Sequence, residues 1–147
     1  MSAISVPVRK RPWHLWVVAI LTILWNGSGA YTILMAQAGR LSDVDAQEAA
    51  YYAAQPTWFV IATDVALFLP LAAAMALLLR SRSAVWLFAL SAIAIVVTNI
   101  YDALAGTSLA LADRGWLILT AVIAVIAILQ FAYAWAMRNR GVLQSAF

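Results

Sequence analysis

The chain has 147 residues, of which 66% are hydrophobic and 10% charged, with a net charge of +3 and a mean hydropathy of +0.93. That composition excludes a soluble globular domain and indicates an integral membrane protein. With no cysteine the chain has no disulfide, thiol nucleophile or Cys-based metal site, and its basic residues flank apolar runs instead of forming a nucleic-acid patch.

Met1 to Pro12 is a polar arm ending in Arg9-Lys10-Arg11-Pro12. The apolar run that follows, about residues 13–36, is too long for a signal-peptide core and lacks a small-x-small cleavage site, so it reads as the first transmembrane helix. Its outer half gathers Asn26, Gly27, Ser28, Gly29 and Tyr31. At about 100° per residue, Thr22, Asn26 and Gly29 share one face, which predicts a close helix approach with Asn26 bonding across it.

Gln37 to Pro56 is the longest loop and the most acidic segment. Ser42 with Asp45 three residues on predicts a capped, short extramembrane helix over about 43–54, stopped before Pro56. Tyr51 and Tyr52 are expected at the headgroup level. The second span, about 57–79, contains Asp64 and, near its middle, Pro70, which predicts a kink. A carboxylate inside a span costs roughly 2.5–3.5 kcal/mol, so Asp64 is expected to face protein or water.

Arg80-Ser81-Arg82-Ser83 is a tight basic turn. The third span, about 84–105, turns polar in its last turns with Thr98, Asn99, Tyr101 and Asp102. After a short turn holding Asp113 and Arg114 comes the fourth span, about 115–137, whose Thr120, Ala124, Ala127 and Ala134 form a small-residue stripe. This stripe and Gly29 are the expected close-approach surfaces for a homodimer or a membrane-protein partner. Gln130 is expected to be a helix contact.

Seven basic residues (Arg9, Lys10, Arg11, Arg80, Arg82, Arg138, Arg140) fall on the side of both termini and two (Arg40, Arg114) on the other. The positive-inside rule then puts both termini in the cytoplasm. The expected fold class is all-α: a single transmembrane domain over 1–147, an up-down four-helix bundle in contact with the lipid bilayer.

On this topology the polar residues of three spans share the outer leaflet. Asn26, Tyr31, Asp64, Asn99, Tyr101 and Asp102, with Ser28 and Thr63 beside them, are the candidate ligand-binding residues. Two carboxylates in such a layer suit a cation, a proton or a hydroxylated solute. The structural reading of the same residues has Asp102 solvated and Asp64 hydrogen-bonded by Asn26 or Tyr101. Trp25 lies deeper than the other tryptophans, which anchor span ends, and is placed to wall the layer. His14 stands alone between Trp13 and Trp16, so no metal site is expected. No catalytic constellation or cofactor motif occurs, and the chain is not expected to be an enzyme.

Trp25-Asn26-x-x-Gly29, the stretch from Tyr51 to Trp58 (YYAAQPTW) and Leu77 to Val85 (LLLRSRSAV) resemble a family of small bacterial inner-membrane proteins with four predicted helices, some of which carry the label "sugar transporter". The resemblance covers about three quarters of the chain. It implies a four-helix bundle in the bacterial inner membrane and does not specify a substrate. Where the family often has an acidic residue three positions after the glycine, this chain has Thr32. Two functional classes follow: a protein that binds or transports a small polar solute, or an accessory or scaffold subunit of a membrane complex.

Overall fold

The computed structural model describes residues 12–40, 42, 46–105 and 114–144. Among the described residues five helices follow one another: α1 (His14–Gln37), α2 (Ala46–Ala54), α3 (Thr57–Leu78), α4 (Ser83–Leu104) and α5 (Arg114–Asn139). All but the short α2 are long and apolar enough to cross a membrane. The protein is an all-α, multi-pass four-helix bundle, and each predicted span agrees with its helix to within two residues. The basic arm Arg9 to Arg11, Asp45 of the proposed cap and the turn at 106–113 lie outside the described residues.

Apolar residues surround each span, so hydrophobicity alone cannot say which face packs; small and polar residues at spacings of three and four do. The buried stripe on α4 is Ala84, Phe88, Ser91, Ile95 and Thr98, and on α1 it is Leu15, Ala19, Thr22, Asn26 and Ala30. This spacing is that of nearly parallel helix packing. Helix α1 packs on α3, α3 on α4, and α4 on α5, each on its neighbour in sequence. Helices α1 and α5 meet instead through long polar side chains: Gln130 Nε2 donates to Thr22 Oγ1 at 3.4 Å, and His14 Nδ1 lies 2.6 Å from the Tyr133 hydroxyl. Gln130 is thus the helix contact expected of it. Ala127 and Ala134 of the small-residue stripe are buried within the bundle, and a Cβ on Gly29 would sit 3.2 Å from Leu67 of α3. These three positions are therefore occupied inside one chain, whereas Thr120 borders open volume.

Pro70 is buried in the middle of α3, which continues on both sides of it. Lacking an N–H, proline leaves the carbonyl four residues earlier, that of Ala66, without its helical donor. Ser91 Oγ of α4 donates to that carbonyl at 2.8 Å, in a buried position. A neighbouring serine thus restores the bond that the proline removes, as the absence of water in hydrocarbon requires.

Where α5 ends, Gly141 at φ +68° turns the chain back, with the Val142 N–H bonding Met137 O and the Gly141 N–H bonding Arg138 O. The strap that follows docks on the α3–α4 turn. The Gln144 N–H donates to Arg80 O at 2.6 Å and the Arg82 N–H to Gln144 O at 3.0 Å, while Val142 and Leu143 are buried in the core. Arg80 occupies the left-handed position closing α3, at φ 58°, where the Ser81 N–H bonds Ala76 O and the Arg80 N–H bonds Leu77 O. Glycine is the usual residue there, and an L-residue costs about 1 kcal/mol in that conformation.

Candidate functional site

Away from the termini the four spans part around a cavity of about 510 Å³, a size typical of small-molecule sites. Its floor is apolar, made by Ala66, Ile95 and Ile123, just above the Ser91–Ala66 bond. Helix α1 contributes Trp25, Asn26 and Ser28, α4 contributes Thr98, Asn99 and Asp102, and α5 contributes Thr120. The short helix α2 presents Tyr51 and Tyr52 to it, followed by Gln55.

Pro56, extended at ψ 148°, separates α2 from α3 and lets the short helix turn away from the α3 axis. At the other side, α1 ends in a left-handed Gly39 whose N–H bonds Ala36 O, and the Arg40 N–H reaches Met35 O. These two stops place α2 beside the cavity. Tyr51 and Tyr52, expected at the headgroup level, are half-buried beside the cavity. Burial raises the pKa of both hydroxyls above the ordinary value, with the negative charge of Asp102 adding to the effect at Tyr51 and that of Glu48 at Tyr52.

Most of the polar groups in the wall are satisfied by their own helices. Asn26 Nδ2 donates to Thr22 O at 3.0 Å, Ser28 Oγ to Trp25 O at 2.8 Å and Thr98 Oγ1 to Ala94 O at 3.1 Å. Asn26 is buried on the predicted face but bonds along α1, which corrects the expectation of a bond across helices. Asp102 differs. It is the only lining side chain with a formal charge among the described residues, and Tyr51 Oη donates to its Oδ1 at 3.1 Å. Asp102 is thus held by α2 and not simply solvated.

Of the six candidate residues, Asn26, Asn99 and Asp102 line the cavity. The other three do not. Tyr31 is 65% exposed on the outer face of α1. Asp64 accepts a hydrogen bond from Gln37 Nε2 at 3.1 Å, tying α3 to the end of α1, so neither Asn26 nor Tyr101 is its partner. Tyr101 packs its ring on Trp58 and Phe59, with centroids 4.9 and 5.0 Å away. Rotation about the helix explains the split: Thr63 faces the cavity, and its neighbour Asp64 is turned by about 100°. Sequence reasoning missed Tyr51 and Gln55 as site residues and Ser91 as the proline's partner. Thr98 and Asp102, four residues apart and in line with Ser91, were the available signal.

Among the described residues no group of three His, Asp or Glu side chains converges. The cavity therefore offers one carboxylate, amides and hydroxyls, and the aromatic rings of Trp25, Phe59, Tyr51 and Tyr52. Compared with family models, curated proteins and solved structures, the chain matches none.

Proposed function

We propose that this chain is a solute-binding protein of the bacterial inner membrane, its basic end in the cytoplasm, and that the cavity takes a small amphipathic molecule bearing a cationic or hydrogen-bond-donating group. The observation that carries the reading is Asp102, which among the described residues is the one carboxylate in an aromatic-walled cavity with no basic side chain in its lining. A carboxylate has acceptor capacity for about four donors, and Tyr51 provides one. An ammonium or hydroxyl on a solute would provide more, and the ring faces favour a cation. The seven-to-two distribution of Lys and Arg supports an outward-facing cavity. Family likeness in the three quoted stretches agrees with this membrane and leaves the solute to be found. Transport would further require the packed half of the bundle to open, or a second copy.

The test is a thermal-stability screen of the purified protein against small organic amines and, in parallel, uncharged sugars. Amines should raise Tm in the parent and in Asp64→Asn, and the shift should vanish in Asp102→Asn. No response to either class, or an equal response in Asp102→Asn, would reject the reading and return the accessory-subunit role.

A further inference from the structure

At the opposite end of the bundle, in a place the solute reading does not use, the structure has a second cavity. It has a volume of about 600 Å³ and lies beside α3, the α3–α4 turn and the strap after α5. One wall is polar, with Arg80, Ser81, Ser83 and Gln144; the other is apolar, with Met75 and Leu79, both largely exposed on the outside of the bundle. Among the described residues no acidic side chain lines it.

We infer that this cavity binds the phosphate of an anionic phospholipid, with Arg80 as its principal donor and the apolar wall against an acyl chain. Three observations converge on Arg80. Its backbone holds the left-handed conformation that glycine would adopt without strain, so the side chain is retained at a conformational cost. Its Nε donates to Val142 O at 2.9 Å, which aims the guanidinium beneath the strap. Its Nη2 is buried with no hydrogen-bond partner among the described residues. A buried charged donor without an acceptor is among the costliest unsatisfied groups, and a phosphate oxygen is the acceptor whose geometry and charge match a guanidinium best. Arg82, whose Nε reaches Leu143 O at 3.4 Å, adds positive charge from the same turn. Met75 and Leu79 extend the cavity toward lipid, and this favours a phosphate that carries hydrocarbon over a free one. The level also suits a headgroup, since the site lies where two spans turn.

The experiment measures Tm of the full chain in neutral detergent with added phosphatidylglycerol, phosphatidylcholine or inorganic phosphate. Phosphatidylglycerol should raise Tm by several degrees, and the other two should not. Arg80→Gly relieves the left-handed strain and so should keep the turn, yet it should lose the preference for phosphatidylglycerol. Ala72→Trp, on the exposed side of α3 within the apolar wall, should reduce the preference without touching the arginine. An equal response to phosphatidylglycerol and phosphatidylcholine overturns the inference, as does an Arg80→Gly protein that keeps the preference. A full response to inorganic phosphate alone would overturn the lipid as the source. Because none of these readouts involves Asp102, failure here and failure of the solute screen are distinguishable.

Discussion

The two ends of the bundle are built by different means. Near the termini, Leu15, Leu77, Val85, Phe88, Met137 and Leu143 form a continuous core that the strap closes from below. At the far end the long helices and α2 are held by scattered links, Gln37 to Asp64, Tyr51 to Asp102 and the Tyr101 ring on Trp58 and Phe59, around an open volume. In lipid, where helices gain little by leaving the surrounding hydrocarbon, close packing is what fixes their positions. One half is therefore the frame, and the other surrounds the open volume.

The contrast is broken most directly at Phe88. Phe88→Ala should cost about 3 kcal/mol, because a large side chain in contact on all sides leaves a void the frame cannot refill. Thermal or denaturant unfolding in detergent would show it, and a loss no greater than that of Phe68→Ala on the exposed side of α3 would mean the frame is not where stability resides. A middle-sized effect is expected at the boundary between the halves. Ser91→Ala orphans the Ala66 carbonyl and should cost about 1–2 kcal/mol in the parent. In a Pro70→Ala background the helix regains its own donor and the same change should be nearly neutral. A double-mutant cycle with no coupling would show that the serine does not compensate for the proline.

The smallest effect belongs to the open half and depends on pH. Burial, and after it Asp102, raise the Tyr51 pKa from 10.0, so the folded chain keeps a proton that the unfolded chain releases. Stability is then unaffected below about pH 10 and falls as the pH climbs past it. Melting curves from about pH 8 to about pH 11 should slope more steeply in the parent than in Tyr51→Phe. Identical slopes would place the hydroxyl in water.

The number and limits of the spans were legible because hydrocarbon thickness sets their length. Rotation of α3 was harder to read: apolar residues lie on every side of it, and the line that turns Thr63 inward, Ala66, Pro70 and Ala73, is marked by small residues alone. Helix α4 held that information more plainly, in the line from Ala84 through Ser91 and Thr98 to Asp102, because small and polar residues at that spacing tolerate contact on one face only. Asp64 drew attention by its depth. Depth gives the cost of a charge and leaves open which neighbour offsets it, and here Gln37, at the edge of the cavity, does so. Tyr51 could not be identified from its own segment, since its partner is 51 positions away.

The strap also bears on the order in which the chain assembles. Each long helix packs on the long helix before it, so three hairpin-like contacts form between segments adjacent in the chain. The Arg80 to Val142 link instead joins residues 62 apart and uses some of the last residues described. Local closures cost little chain entropy and form early, whereas the long closure must wait for α5. The basic end is therefore the last part of the bundle to shut, and a carboxy-terminal extension that held Gln144 away from Arg80 would leave a fully inserted but unlatched intermediate.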